Sequence, residues 1–219
     1  MKHTLYISDV HLPHEHHKAL DFCQRIRDRY HCTQIIQSGD MFDHQGSSFH
    51  TRNPDLPSAY DEMKSAMRKA KLWHSAFPGM TITRGNHDAI PARQLEDIGL
   101  PSVWLTDPNK VYGTPTWKWC DDLIIPGGRH KIWFKHSWAA STVAKGGDGG
   151  YSICGGHVHT KSQIIWSQYP SHSTFSLVVG CMINPRHRAF NYNKHDARRP
   201  ILSVATIIDG EPQLHRLWE

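Results

Sequence analysis

The alternation of elements in the first 90 residues limits the fold more than any other feature of the chain. "TLYISDVH" is a short apolar run that stops at Asp9, and "HKALDFCQRIRDRY" then places Ala19, Leu20, Cys23 and Ile26 at helical spacing. "CTQIIQSGDMFD" is a second apolar run, ending in Gly39 and Asp40. A polar loop, "HQGSSFHTRNPDLP", leads into "SAYDEMKSAMRKAKLWHSAF", where Tyr60, Met63, Met67, Ala70 and Trp73 predict one helical stripe. Pro78 and Gly79 stop that helix, and "MTITRGN" begins a third strand. Strand, helix, strand, helix, strand in this order predicts parallel pairing with right-handed crossovers.

From about residue 100 the pattern changes. "DDLIIPGGRHKIWFKHSW" reads as two strands joined by a Pro-Gly-Gly turn, "AASTVAK" as a short helix, and "YSICGGHVH" as a strand ending in glycine and histidines. "KSQIIWSQ", "TFSLVVGCMI" and "ILSVATIIDGEPQLHRLW" read as antiparallel strands. Trp117 and Trp119 alternate with polar neighbours as in a half-buried strand, and Trp73 lies on a helical stripe, so core packing is expected of all three rather than base stacking. The expected architecture is α/β, a two-sheet mixed β-sandwich flanked by helices. With 219 residues, one domain spanning 1–219 is expected.

No run approaches the roughly 18 apolar residues that cross a bilayer. "MKHTLYISDVH" lacks the character of a signal peptide, which places the chain in the cytosol as an expectation. Five cysteines, widely spaced and without a C-x-x-C pair, fit reduced and mostly buried thiols better than a disulfide framework or a thiolate zinc site. The formal charge of +5 and pI near 9.0 permit a polyanionic partner without requiring one.

Histidine is the compositional outlier, at 18 of 219 residues. Several histidines fall where strands end. Asp9-x-His11 ends the first strand, Gly39-Asp40 the second and Gly85-Asn86-His87-Asp88 the third; Lys135-His136 and Gly155-Gly156-His157-Val158-His159 end two later ones. The carboxyl ends of parallel strands form one rim in open α/β sheets, so residues distant in sequence can converge there. Asp9, His11, Asp40, Asn86, His136, His157 and His159 offer three oxygen-type and four imidazole ligands. That number suits two metals sharing a carboxylate. Without a thiolate, the set favours manganese, with iron, zinc or nickel as alternatives, over copper or an iron–sulfur cluster.

The series "DVH", "GDMFD", "GNHD", "KHS" and "GGHVHT" resembles the motif set of the calcineurin-like metallophosphoesterases, from Asp9 to His159. More loosely, "SDVHLPHEHHKAL" and "FPGMTITRGNHD" are similar to phosphoesterases of bacteriophages and prophages. The resemblance implies a four-layer fold whose second sheet takes in the trailing strands. It also implies two divalent cations bridged by Asp40: Asp9, His11 and His159 complete the first, and Asn86, His136 and His157 the second. It implies hydrolysis of phosphate esters by hydroxide held between those cations, with Asn86 stabilising charge and His87 protonating the leaving group, oriented by Asp43. "GNHD" departs from the "GNHE" common in the family, and no loss of activity is inferred from that.

Other features have milder expectations. His14, His16 and His17 are expected at a solvated helix start rather than in a third metal site, and His44 beside the centre. Residues 184–200, "NPRHRAFNYNKHDARRP", set five cations (Arg186, Arg188, Lys194, Arg198, Arg199) against Asp196, a net +4. A solvated loop is one reading; a rim that tracks phosphates, with Arg186 and Arg188 as contacts and Phe190 and Tyr192 stacking on a base, is the other. The substrate is accordingly a phosphate ester, either a nucleic-acid or nucleotide diester or a small-molecule or protein monoester. A non-catalytic scaffold of the same fold is the alternative from another class.

Overall fold

The computed structural model describes residues 2–49, 55–128, 130–187 and 198–218. The strands in chain order are β1 (Thr4–Ile7), β2 (Gln34–Gln37), β3 (Thr81–Thr83), β4 (Lys118–Cys120), β5 (Asp122–Pro126) and β6 (Lys131–Lys135). They continue with β7 (Tyr151–Gly155), β8 (Gln163–Gln168), β9 (Ser173–Val178), β10 (Ser203–Ile208) and β11 (Glu211–Arg216). The principal helices are α1 (Ala19–Arg29), α2 (Ala59–Ala76) and α3 (Ile90–Asp97).

One six-stranded sheet has the order β11-β10-β1-β2-β3-β4, and a five-stranded sheet the order β5-β6-β7-β9-β8. β1 to β4 pair in parallel, whereas β10 joins β1 antiparallel. In the second sheet β6-β7 and β7-β9 are parallel, and the β5-β6 and β8-β9 pairs are antiparallel.

Both faces of the first sheet are buried, and β1 shows how. Leu5 and Ile7 point to one core, with Ala19, Phe22, Cys23 and Ile26 of α1 and Ala66, Ala70 and Trp73 of α2. Tyr6, on the opposite face by the two-residue period of a strand, packs with Phe134, Cys154, Phe175 and Leu177 of the second sheet. A strand buried on both faces needs a near-continuous apolar run, which Leu5, Tyr6 and Ile7 supply. Apolar side chains of this size contribute roughly 1.5–3 kcal/mol each on full burial. Trp73, Trp117 and four of the five cysteines lie in these cores. Among the described residues no helix is long and apolar enough to cross a membrane.

Three expectations are corrected. The last two strands enter the first sheet, not the second: β10 covers the edge of β1, with Val204 toward the helices and Ala205 and Ile207 toward the second sheet. The α2 stripe is rotated, so that Tyr60 is 63% exposed while Glu62, Ala66, Ala70 and Trp73 are the buried positions. Glu62 tolerates burial because its carboxylate accepts the backbone N–H groups of Gln45 (2.9 Å) and Gly46 (2.6 Å). His14 and His16 are not solvated: each is 5% exposed, and the helix begins only at Ala19.

Candidate metal centre

The strand-end motifs come together because the chain turns sharply beyond each strand. Asp9, His11, Asp40 and His157 adopt the left-handed conformation, with φ of 50°, 53°, 51° and 67°. Each such residue costs on the order of 1 kcal/mol when it is not glycine. The surrounding bonds hold them there: Asp9 N–H donates to Gly39 O (3.2 Å), His11 N–H to Asp40 O (2.9 Å) and His157 N–H to Asp9 Oδ2 (2.9 Å). Two motif glycines permit close approach. A Cβ on Gly85 would collide with the backbone N and Oδ1 of Asp40, and one on Gly156 with Ser8 Oγ and Asp9 Oδ2.

Asp9, His11 and His159 form one group of ligand atoms, and Asp40, His136 and His157 another; His11, Asp40 and His87 form a third that overlaps both. Asp9 Oδ1 lies 3.1 Å from His159 Nε2 and 3.8 Å from His11 Nε2. Asp40 Oδ2 lies 3.7 Å from His11 Nε2 and 3.2 Å from His136 Nε2, which sets one carboxylate oxygen between the two halves. His136 Nε2 is also 3.0 Å from Asn86 Oδ1 and 3.3 Å from His157 Nδ1. All seven residues expected at the rim are therefore in one cluster.

Second partners fix the imidazoles. His136 Nδ1–H donates to Ser38 O (2.6 Å) and His11 Nδ1–H to Asp43 Oδ1 (2.6 Å), so in each ring Nε2 faces the cluster. His87 Nδ1–H donates to the backbone carbonyl of Asp43 (2.6 Å), and its backbone N–H to Asp40 Oδ1 (2.8 Å). Its ring meets that of His11 edge-on, 4.6 Å between centroids.

Burial would raise the carboxyl of Asp40, but His136 beside it overrides that and lowers it to about 2. Burial likewise pulls His136 down, and Asp40 reverses this and raises it to about 9. Asp9 is lowered and His11 raised, again against the effect of burial, by their hydrogen-bonded partners. Two buried carboxylates are thus compensated by imidazolium protons, with no lysine or arginine paired to them among the described residues. Divalent cations fit this donor set: they supply the positive charge that the protons otherwise bring, to oxygen and imidazole ligands they accept.

Sequence reasoning missed Ser8, whose hydroxyl donates to Asp9 Oδ2, because a lone serine before an aspartate is no signal. Asp88, expected to do turn work rather than catalysis, accepts the N–H groups of Gly85 and Phe42, both at 3.0 Å, and so holds the third strand's turn against the second's. His44 supports His87 from behind: its Nδ1 is 2.9 Å from His87 O and its Nε2 2.7 Å from Tyr112 Oη. A cavity of about 600 Å³ adjoins this segment, with Phe42, His44, Asp88, Tyr112 and Trp119 in its wall, but none of the seven clustered residues lines it. Arg186 is exposed, and its backbone N–H donates to Asn184 Oδ1 (3.1 Å). Arg188, Phe190 and Tyr192 lie outside the described residues.

The family model for calcineurin-like phosphoesterases matches residues 2–167, and the chain belongs to that family. No curated protein sequence matches it. An archaeal phosphodiesterase has a similar structure, with a TM-score of 0.52 at 13% identity over 98% of this chain and 99% of that one, a likeness of fold alone. The phosphoesterase YfcE of E. coli (TM-score 0.48, 14% identity, 99% of this chain and 100% of that one) is also similar. So is vacuolar protein sorting 29 of Cryptosporidium parvum (TM-score 0.47, 11% identity, 99% and 96%).

Proposed function

We propose that the chain is a metal-dependent phosphoesterase that cleaves phosphate esters at the cluster spanning Asp9 to His159. The observation that carries this reading is Asp40, whose Oδ2 stands between His11 Nε2 and His136 Nε2, at 3.7 and 3.2 Å, so that one carboxylate belongs to both halves. Asp9, His11 and His159 would hold one divalent cation, and Asn86, His136 and His157 a second. When bound, such a pair supplies Lewis-acid polarisation of a phosphoryl group and acidification of water.

The remaining work falls to the chain. The Asn86 amide lies at the cluster's edge, where its NH₂ can donate to a phosphoryl oxygen while Oδ1 faces His136. His87 is the proton donor to the leaving oxygen. Its Nδ1 is committed to Asp43 O, which leaves Nε2 to carry the proton, and its side chain is 22% exposed, enough to meet a substrate. General-acid assistance of this kind contributes about 10²–10⁴-fold for a poor leaving group. The basic segment 184–200 favours phosphodiesters of nucleotides or nucleic acids as substrates.

The test is hydrolysis of bis(p-nitrophenyl) phosphate by chelator-stripped protein resupplied with Mn²⁺, Fe²⁺, Ni²⁺ or Zn²⁺. Metal-dependent turnover that is abolished in Asp40→Asn is expected. A folded protein that binds these ions and turns over no phosphate ester with any of them would overturn the reading.

A further inference from the structure

We infer that His14, Asp43 and Glu62 form a third divalent-cation site behind the proposed dinuclear centre. The three residues come from separate parts of the chain: the segment after β1, the turn after β2 and the first turn of α2. Their ligand atoms all lie within 4.8 Å of one another, and all three residues are buried. His14 Nε2 is 3.6 Å from Asp43 Oδ2 and 3.6 Å from Glu62 Oε1, and the side chains are 4%, 2% and 6% exposed.

A separation of 3.6 Å is too long for a hydrogen bond. It is near the spacing of neighbouring ligand atoms around a four-coordinate ion, about 3.3 Å for metal–ligand lengths of about 2.0–2.1 Å. Asp43 supplies the second, independent sign. Its Oδ1 accepts from His11 Nδ1, whereas Oδ2, buried and facing His14, has no hydrogen-bond donor among the described residues. Native structures leave few such oxygens without a reason.

Glu62 retains the capacity to bind. Oε1 and Oε2 each accept one backbone N–H, from Gln45 and Gly46, which anchors the carboxylate and leaves a lone pair on each oxygen. Two carboxylates and a neutral imidazole sum to −2, the charge that a divalent ion neutralises. The donors are one nitrogen and two oxygens without a thiolate, a set that suits zinc, with water completing the shell. Glu62 also belongs to the wall of the 600 Å³ cavity, which gives an ion a way in.

An ion here would clamp α2 and the His14 segment to Asp43. That residue's other oxygen holds His11 and its carbonyl holds His87, so the third site would brace two proposed active-centre histidines from behind.

Full-length protein is stripped with chelator, dialysed against Zn²⁺ at neutral pH, and its metal counted per chain by mass spectrometry. Three ions are expected in the unaltered protein and two in His14→Phe, which keeps the ring stacked on His187 (4.1 Å between centroids). Glu62→Gln should also hold two, and circular dichroism shows whether each variant is folded. Anomalous diffraction from Zn²⁺-soaked crystals should place an ion between His14 Nε2, Asp43 Oδ2 and Glu62 Oε1. Two ions in the unaltered protein, or three in a folded His14→Phe protein, overturns this site. Either result leaves the phosphoesterase reading standing, since that reading depends on the ions lost in Asp40→Asn.

Discussion

Asp43 holds His11 with its carboxylate, Oδ1 to Nδ1 at 2.6 Å, while the same oxygen is 3.4 Å from His87 Nδ1. The sequence expectation had Asp43 orient His87, without saying through which atom. In the structure the backbone carbonyl of Asp43 holds His87, so side chain and main chain of one residue serve different histidines.

Asp43→Asn should therefore act through metal affinity. Removing the charge behind a metal-bound imidazole typically costs about 10–100-fold in affinity. The Mn²⁺ concentration for half-maximal activity should rise by that factor, with kcat at saturating metal reduced far less. An unchanged metal requirement with a large fall in kcat would return the carboxylate to His87.

Replacing His87 with alanine should remove proton donation and spare the metals. The expected loss is about 10²–10⁴-fold for an alkyl ester, whose leaving oxygen needs a proton, and much less for p-nitrophenolate, which departs readily without one. A series of aryl esters of increasing leaving-group pKa checks this. The variant's rate should fall along the series more steeply than that of the unaltered protein. Equal losses at every member would show that His87 serves some other purpose.

The clustering of the candidate residues was more legible in the sequence than the packing around them. Asp9, Asp40 and His157 stand within a residue or two of apolar runs, where a core would have no use for them, so their place at one rim was visible from local contrast. The partner atoms were not visible, because the carbonyls of Ser38 and Asp43 carry no signature in side-chain type. On α2 two overlapping stripes competed. Tyr60, Met63 and Met67 drew the expected stripe to one side of Ala70 and Trp73, whereas the buried face runs through Glu62 and the small Ala66 to those same two residues. Burial of Glu62 and His14 depends on groups distant in sequence, which periodicity does not report.

Gly85→Ala tests whether the third motif's glycine serves close approach. Its Cβ would meet the backbone N and Oδ1 of Asp40, and neither can move without shifting the shared carboxylate. Overpacking of this kind costs about 1–3 kcal/mol. At about 2–4 °C per kcal/mol for a chain of this size, Tm should fall by several degrees, with weaker metal binding. Gly79→Ala is the control, since a Cβ there meets nothing within 4 Å, and its Tm should be nearly unchanged. Equal effects at the two positions would contradict the packing argument.

The Asp40–His136 pair makes the metal-free protein sensitive to pH on two sides. His136, raised to about 9 by Asp40 against the pull of burial, has a folded pKa above its unfolded value of about 6.5. Its contribution is fully present below pH ~6.5 and is lost as pH rises through about 9. Asp40, lowered to about 2 by His136 against the push of burial, contributes above pH ~3.9 and loses that contribution as pH falls through about 2. With chelator present, stability should therefore hold between pH ~4 and ~6.5 and decline toward pH 9 by on the order of 1–3 kcal/mol, read as a falling Tm. A metal ion needs the same Nε2 unprotonated, so its binding must release a proton and strengthen as pH rises over that interval. The gap between metal-loaded and chelated Tm should widen from pH 6.5 to 9, and calorimetry in buffers of different ionisation enthalpy should count the proton released. A chelated Tm that stays flat from pH 6.5 to 9, with no proton released on binding, would mean that Asp40 and His136 do not share a charge in the folded chain.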